Sequence, residues 1–293
     1  MTTPLQNKID FAIVFRVKHA NPNGDPLNGN RPRTDYEGLG EVTDVCLKRK
    51  LRDRLQESGQ RIFVQSDDRK AAGDSYKSLA ERARGELGDK LGGADTIKLA
   101  CEKWFDVRAF GQLFAIKADK KAKNAKKDEK SITGDDAGGD TGISIGIRGP
   151  VTIQSAFSLE PVSVTSTQIT KSVSGEGDGS KRGSDTMGMK HRVDHGIYVS
   201  YGSINPQLAE RTGFSTEDAE AIKTILPKLF ENDASSARPE GSMEVLKVIW
   251  WQHNSKSGQF SSAKVHRSLK VSPDGAIELD NLPGLVPELV DGF

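Results

Sequence analysis

Cysteine is nearly absent from this chain, which carries only Cys46 and Cys101. Two cysteines cannot build the disulfide framework of a small secreted domain, so we expect ordinary thiols in a reducing cytoplasm. Long apolar runs are also missing, since no stretch approaches the roughly 18 to 20 residues of a membrane-spanning helix. The first ten residues lack the basic start and apolar run of a secretory signal. Together these absences predict a soluble, cytoplasmic protein without a membrane partner.

Net charge is also close to zero, at +1 for pH 7, so the whole molecule has no obvious preference for a polyanion. Any binding of nucleic acid must therefore depend on basic residues that are concentrated locally. Hydrophobic residues make up 35% of the 293 positions and charged residues 28%, which predicts a modest core with generous loops. The length allows one large domain or two small ones.

The residue patterns of metal and nucleotide sites are missing too. His191 and His195 have HxxxH spacing, but the surrounding pattern predicts a strand, where positions i and i+4 lie about 13 Å apart. No cysteine or third ligand lies near them in sequence. The glycine-rich stretch at 175–183, GEGDGSKRG, matches neither the dinucleotide-binding pattern nor the P-loop. We therefore predict no metal, no cofactor and no catalytic residue.

Apolar periodicity predicts strands at 9–18, 61–66, 142–162, 193–205 and 243–253. A first helix is predicted from a cap at Thr43 or Asp44 to about Ser58, with a core stripe of Leu47, Leu51 and Leu55. A second helix is predicted from a cap at Ser215 or Thr216 to about Phe230, with Pro227 bending or ending it. Residues 75–103 have a helical pattern that GDKLGGAD interrupts.

This order of elements predicts an α+β fold, with a β-α-β-β-α-β core of the ferredoxin-like or RRM-like type and large insertions. We expect one domain over 1–293, with a helical insertion at 67–142 and a hairpin insertion at 163–192. The lysine-rich and then glycine- and aspartate-rich run at 117–142 predicts a mobile loop. The sheet of such a core leaves one face open, and open faces of this kind commonly bind single-stranded RNA.

A basic segment lies on the first predicted helix, VCLKRKLRDR at 45–54. With the leucines facing the core, Lys48 and Arg52 fall one turn apart on a flank, and Arg49 lies beside them. Like charges at this spacing cost a few tenths of a kcal/mol, which a phosphate between them would offset. The alternative is an ordinary solvated helix face.

The loop before this helix is rich in asparagine, glycine and proline. It offers Asn21, Asn23, Asn28, Asn30, Arg31 and Arg33 beside flexible backbone. Amide groups and glycine N–H groups can bind phosphate and 2′-OH groups without selecting a sequence. The alternative is a turn-rich connector, because the same residue types build turns. Together, the loop and the basic helix would form one contiguous phosphate-binding surface.

Residues 19–53, HANPNGDPLNGNRPRTDYEGLGEVTDVCLKRKLRD, resemble the signature of the type I-C Cascade backbone family, a RAMP-superfamily group of CRISPR effector proteins. Three further stretches also resemble this family: 104–114, 147–162 and 186–202. The resemblance spans nearly the whole chain, and 117–142 is its least similar part. It implies a hand-like shape with palm, fingers and thumb. Copies of the protein would polymerise along the crRNA spacer, and a thumb hairpin would kink the guide at regular intervals.

Carried over to this sequence, the resemblance implies that Lys48 and Arg52 contact guide phosphates, with Arg49 a further contact. It places the segment Met187, Met189, Lys190, His191 and Arg192 in the thumb or at its base. Met187 and Met189 would then be apolar wedges beside a flipped base; the alternative is two core methionines. Lys171, near the predicted thumb tip, could contact a backbone phosphate.

Two further pairs of residues have open roles, Arg108 with Phe110 and Trp250 with Trp251. Arg108 and Phe110 could face RNA, since guanidinium groups and rings stack on bases, or form a structural Arg–Asp pair and a core ring. Trp250 and Trp251 are adjacent, so a strand would direct them to opposite faces, one to the core and one to a possible subunit interface.

The function that this resemblance implies is a non-catalytic, crRNA-binding backbone subunit. Its partners would be crRNA, target DNA through the guide, further copies of itself and other Cascade subunits. The alternative is a RAMP-type endoribonuclease, in which His19 with Lys48, or Asp25 or Asp35, would act on RNA. A general single-strand RNA chaperone is a third hypothesis, and it predicts no fixed footprint on the guide.

Overall fold

The structure is a computed structural model that describes residues 3–116, 143–171 and 187–293. Its strands are β1 (Ile9–Ala20), β2 (Gly24–Asp25), β3 (Arg31–Pro32), β4 (Leu39–Val42), β5 (Gly111–Ile116), β6 (Ile143–Arg148), β7 (Val151–Ile153), β8 (Ala156–Pro161), β9 (Val164–Thr170), β10 (Met187–Ile204), β11 (Met243–Gln252), β12 (Leu269–Val271), β13 (Ile277–Leu279) and β14 (Glu288–Asp291). Its helices are α1 (Asp44–Glu57), α2 (Leu79–Leu87), α3 (Thr96–Lys103), α4 (Phe105–Phe110), α5 (Pro206–Thr212), α6 (Thr216–Ile225) and α7 (Ser262–Arg267). Among the described residues, no helix is long and apolar enough to cross a membrane. The predicted mobile loop at 117–142 lies outside the described residues.

An antiparallel sheet of eight strands forms the centre of the fold, in the order β14-β11-β1-β10-β8-β4, with β7 and β9 also paired to β10. β1 lies between β10 and β11, so that Phe11 is opposite Gly202 on one side and Trp250 on the other. Helices and a central antiparallel sheet in one chain confirm the predicted α+β class. Along the chain, β1, α1, β8, β10, α6 and β11 follow one another, and their four strands lie in the sheet order β11-β1-β10-β8.

The first face of the sheet is covered by α1 and α6, as their apolar stripes predict. Leu47, Leu51 and Leu55 of α1 are fully buried in the largest core. Thr43 caps this helix by accepting a hydrogen bond from the N–H of Cys46. Ser215 forms a capping box at the start of α6. Both predicted helix starts are confirmed, although α6 ends at Ile225 and Pro227 lies in a separate 3₁₀ turn.

The second face of the sheet is covered as well, which corrects the expectation of an open face. Ala12 and Val14 of β1 pack there with Trp251 of β11. Val265 of α7 and Leu282 of the C-terminal segment close this second core. The last part of the chain therefore folds back over the surface that an RRM-like sheet would offer to RNA.

The two adjacent tryptophans face opposite sides of the sheet, as predicted. Trp250 lies in the first core and Trp251 in the second. Both side chains are 1% exposed. The expectation that one of them reaches a subunit interface is wrong for this chain, because each is enclosed by the protein's own side chains.

Residues 61–66 form no strand, which corrects the prediction of one there. The N–H groups of Phe63 and Val64 donate to the carboxylate of Asp106, at 2.7 and 3.0 Å, instead of entering a sheet. Phe63 packs with Trp104 in a third core, built from α2, α3, α4 and the β5–β6 hairpin. The predicted break in the helical pattern of 75–103 is confirmed, since α2 ends at Leu87 and α3 begins at Thr96.

Candidate nucleic-acid interface

The loop after β1 is an ordered turn structure, and three of its predicted site residues hold it together. The side chain of Asn21 is buried and donates to the carbonyl of Asn30 at 2.7 Å. Asn23 accepts from the N–H of Thr43 at 3.0 Å and from its hydroxyl at 2.9 Å. Arg33 pairs with Asp25 at 3.3 Å. These contacts fix the loop against the start of α1.

The tip of this loop is fully exposed. Asp25 caps the turn Pro26–Asn28 by accepting from the N–H of Leu27, and Gly29 ends it in the left-handed region. Asn28 is exposed, and the Leu27 side chain is 98% exposed. Asn28 is therefore a predicted loop asparagine whose side chain is open to a ligand, and Asn30 is exposed as well.

A second loop, at 232–241, supports the first one, and sequence reasoning missed it. The carbonyl of Ala237 accepts from the N–H of Asn21 at 2.9 Å. Asp233 forms ion pairs with the buried Lys50 of α1 and with Arg238, the latter at 2.9 Å. Lys50 belongs to the basic segment of the first helix, but its charge is neutralised within the fold.

The three basic residues predicted on α1 all have carboxylate partners. Lys48 pairs with Asp44 at 3.0 Å. Arg49 donates to the carbonyl of Val64 at 2.6 Å and pairs with Asp53 at 2.7 Å.

Arg52 is the least accessible of these three. It is 14% exposed, pairs with the buried Asp106 at 3.0 Å and lies over the ring of Phe110 at 5.1 Å. The charge compensation that we attributed to a phosphate is thus supplied by Asp44 and Asp106. Whether Lys48, Arg49 or Arg52 also contacts RNA stays a prediction.

Arg108 and Phe110 have internal contacts too. Nε and Nη2 of Arg108 donate to the two oxygens of the Asp218 carboxylate, at 2.9 and 2.7 Å, and the guanidinium lies over the ring of Phe105. This bidentate pair joins α4 of the insertion to the N-terminus of α6. Phe110 is half-buried against the first core and under Arg52. This geometry supports the structural alternative for both residues, in which Arg108 forms an Arg–Asp pair and Phe110 packs against the core.

β9 and the start of β10 form an antiparallel hairpin within the eight-stranded sheet. Met187 pairs with Thr170, and the register runs to Val193 opposite Val164. Met187 is 61% exposed and Met189 is 56% exposed, so neither is a core methionine. Because strand side chains alternate, Met187, Met189 and His191 share one face of the hairpin. We call this face the methionine face.

The opposite face of the hairpin is basic. Lys190 and Arg192 are exposed there, and Arg192 lies 3.4 Å from Asp194. Ile169, 48% exposed, lies between them and the end of the hairpin. Lys171 is exposed and follows β9 directly. The segment 172–186, with the predicted thumb tip, lies outside the described residues.

The loop and the hairpin meet at one serine that sequence reasoning missed. Arg31 donates to the Ser166 hydroxyl at 3.1 Å, and Nδ1 of His191 lies 2.8 Å from the same oxygen. Ser166 is directly opposite His191 in the hairpin register. No local sequence signal identifies it, because the contact joins three segments that are far apart in the chain.

The aspartates considered for catalysis have structural contacts, and the histidine considered for it is exposed. Asp35 accepts from the N–H groups of Glu37 and Leu39, both at 2.9 Å, and Asp25 caps a turn and pairs with Arg33. His19 is exposed, at a left-handed position with φ 54°. In the parts of the chain that the structure describes, no group of three or more His, Cys, Asp or Glu could hold a metal ion.

The buried His253 and the partly buried His266 lie beside Asp10 of β1. Nε2 of His253 is 2.9 Å from Oδ2 of Asp10, and Nδ1 of His253 accepts from the N–H of Gln259 at 2.9 Å. His266 lies 3.7 Å from the other Asp10 oxygen, and Lys8 pairs with Asp10 at 3.0 Å. This network anchors the C-terminal segment to β1 beneath the second core.

This chain was compared with protein families, with curated proteins and with solved structures. The family described as "CRISPR-associated protein Cas7" matches residues 7–282. A curated Haloferax volcanii protein, "CRISPR-associated protein Cas7", is 27% identical over 297 aligned positions, covering 97% of this chain and 81% of that protein. The solved structure "CRISPR RNA-guided surveillance complex, pre-nicking" is similar with a TM-score of 0.48 and 14% identity, over 83% of this chain and 78% of that one. Another, "CRISPR RNA-guided surveillance complex", has a TM-score of 0.42 and 15% identity, over 92% and 77% of the two chains.

Proposed function

This chain belongs to the CRISPR-associated protein Cas7 family, and from that membership we propose that it is a crRNA-binding backbone subunit of a type I CRISPR surveillance complex. The observation that carries this proposal is the family match over residues 7–282, which leaves out only the two ends of the chain. The proposed partners are crRNA, further copies of the chain, other Cascade subunits and, through the guide, target DNA. The I-C subtype remains a prediction from the resemblance at 19–53.

In the proposed architecture, the palm is a ferredoxin-like core made of β1, α1, β8, β10, α6 and β11. The sheet order β11-β1-β10-β8 supports this assignment, because it is the order of a split β-α-β fold. The fingers are the insertion that contains α2, α3 and α4, and the thumb is the β9–β10 hairpin. Because α7 and the C-terminal segment cover the second sheet face, we propose that the RNA runs along the loops and the hairpin instead of across the sheet.

We assign the RNA surface to the tip of the first loop and the methionine face of the hairpin. Asn28 and Arg31 come from the loop, and Met187, Met189 and His191 from the hairpin. An exposed, polarisable methionine can pack against the face of a base, and it can do so with any sequence because every base has such a face. Lys48, Lys171, Lys190 and Arg192 are proposed as flanking phosphate contacts, whereas the pairing of Arg49, Arg52 and Arg108 supports internal roles for these three.

The proposed role is non-catalytic. The carboxylates of Asp25 and Asp35 are engaged in turns, which supports this view over an endoribonuclease. Purified protein should be incubated with repeat RNA and with guide-complementary RNA. The proposal predicts binding without cleavage, with an affinity that falls steeply as salt rises. Saturable, site-specific cutting that His19→Ala or Asp35→Ala abolishes would replace it with the endoribonuclease hypothesis.

The chaperone hypothesis is separated by footprinting. A backbone subunit should protect bound RNA from nuclease at regular intervals, since identical copies repeat along the strand. A chaperone should give no fixed period.

A further inference from the structure

We propose that Arg31, Ser166 and His191 form a single phosphate-binding site for the guide strand, in which Ser166 is a positioning residue. The inference rests on the proposed RNA-binding function and adds a residue and a geometry to it. The three side chains come from the loop, from β9 and from β10, and they meet at one hydroxyl, with Arg31 at 3.1 Å and His191 at 2.8 Å.

The hydroxyl of Ser166 determines which imidazole nitrogen is available. A serine hydroxyl carries one proton and two acceptor lone pairs. Arg31 occupies one lone pair, and Nδ1 of His191 lies close enough to the hydroxyl to accept its proton or to donate to its second lone pair. With Nδ1 accepting, the imidazole proton is on Nε2. A protonated His191 would instead donate from Nδ1 to the second lone pair, and its Nε2–H would still be a donor. Both of these states offer Nε2–H to a ligand, and the proposed site requires one of them, because in the other neutral tautomer Nδ1–H donates to Ser166 and Nε2 can only accept.

Charge distinguishes this site from six of the other cations considered for RNA binding. Arg33, Lys48, Arg49, Arg52, Arg108 and Arg192 each lie within 4.0 Å of a carboxylate. Among the described residues, neither Arg31 nor His191 has an acidic partner, and both are only partly buried. A guanidinium whose known contact is a neutral hydroxyl retains its charge and several donors for an anion.

The position of the site indicates which anion it binds. His191 is on the methionine face, two residues from Met189, or about 6.6 Å along the strand. A phosphodiester held by Arg31 and His191 would place the adjoining base beside Met189, where an exposed thioether can contact its face. The ligand class is therefore a backbone phosphate of single-stranded RNA, fixed next to a base-contacting side chain.

The test uses a matched pair at the positioning residue. Ser166→Thr keeps the hydroxyl, and Ser166→Val keeps the branched shape without it; both residues suit an exposed strand. RNA affinity is measured against salt concentration for the whole protein and a single-stranded guide RNA. We expect Ser166→Val to lose about tenfold in affinity, the equivalent of one hydrogen bond to a charged group. The slope of log affinity against log salt should fall by about 0.7, the value for one phosphate on a single strand. Ser166→Thr should keep both.

Two further readouts separate positioning from a change in fold. The ¹⁵N signals of the His191 ring should report a proton on Nε2 in wild type and Ser166→Thr, and a mixture of tautomers in Ser166→Val. Arg31→Ala should weaken RNA binding in the wild-type background and have much less effect in Ser166→Val. If wild type binds RNA and Ser166→Val matches Ser166→Thr in affinity, slope and ring signals, the positioning role is wrong. If wild type does not bind RNA, the proposed function itself fails.

Discussion

Substituting Arg52 tests most clearly whether a basic residue of α1 stabilises the fold or binds RNA. Its partner Asp106 is 1% exposed and accepts three hydrogen bonds: from Arg52 at 3.0 Å and from the N–H groups of Phe63 and Val64. The substitution Arg52→Ala would leave a buried carboxylate held by two backbone donors alone. We therefore expect the loss to appear in the stability of the free protein.

The magnitude follows from the environment of the pair. Breaking a buried ion pair by removing one partner costs about 3 to 5 kcal/mol. Two remaining N–H donors and the partial exposure of Arg52 reduce this cost, whereas loss of the contact with the Phe110 ring adds about 0.5 to 1 kcal/mol. We expect Arg52→Ala to lower the free energy of unfolding by about 3 kcal/mol, measured by urea denaturation. The slope of RNA affinity against salt should stay at the wild-type value.

Lys48→Ala is the matched control, because its i,i+4 pair with Asp44 is much more exposed. It should change the free energy of unfolding by less than about 0.5 kcal/mol. A double-mutant cycle with Asp106→Asn should give a coupling energy between Arg52 and Asp106 of about 1 to 3 kcal/mol. The reasoning is refuted if Arg52→Ala unfolds like wild type and instead flattens the salt dependence of RNA binding.

Three further outcomes are expected. Met189→Ser should lower RNA affinity by the equivalent of about 0.3 to 1.5 kcal/mol, the range for one contact between a thioether and an aromatic ring, and fluorescence of a 2-aminopurine-labelled guide should report the change. Gly40→Ala should destabilise the protein by about 1 to 3 kcal/mol in thermal unfolding, because the new Cβ would lie 2.1 Å from the Tyr198 hydroxyl. Gly146→Ala serves as the control, since a Cβ at that position has no neighbour within 4 Å. Burial lowers the pKa of His266 below its ordinary 6.5, so the unfolded chain binds a proton at this residue more readily than the folded protein does. The free energy of unfolding should therefore fall as the pH drops below 6.5. Equal pH profiles of stability for wild type and His266→Gln would contradict this.

Local sequence patterns predicted those parts of the fold that depend on near neighbours. The leucine stripe of α1 and its Thr43 cap need only the periodicity of one helix, and both are confirmed. The strand predicted at 61–66 failed for a non-local reason. Its apolar residues are buried, but Asp106, more than forty positions away, takes the N–H groups that a neighbouring strand would have bonded.

The same limit applies to the candidate site. The motif at 19–53 was sufficient for the family, and the resemblance at 186–202 drew attention to Met187 and Met189, but only the structure shows that they are exposed and not core residues. The pattern of basic residues could not distinguish cations that are paired from those that are available. Arg52 and Arg108 find their carboxylates 54 and 110 positions away, and Ser166 meets Arg31 across 135 positions. Only the folded structure shows that Arg52 has a carboxylate partner, whereas Arg31 has none among the described residues.

The central claim, that the chain coats a guide RNA as a repeating subunit, is tested most directly by counting copies. Native mass spectrometry of the purified protein should be recorded with single-stranded RNAs of increasing length. The account predicts intact RNA carrying one further copy for each fixed increment in nucleotides. A copy number that stays constant as the RNA lengthens, or RNA that is cut at defined sites, would contradict it.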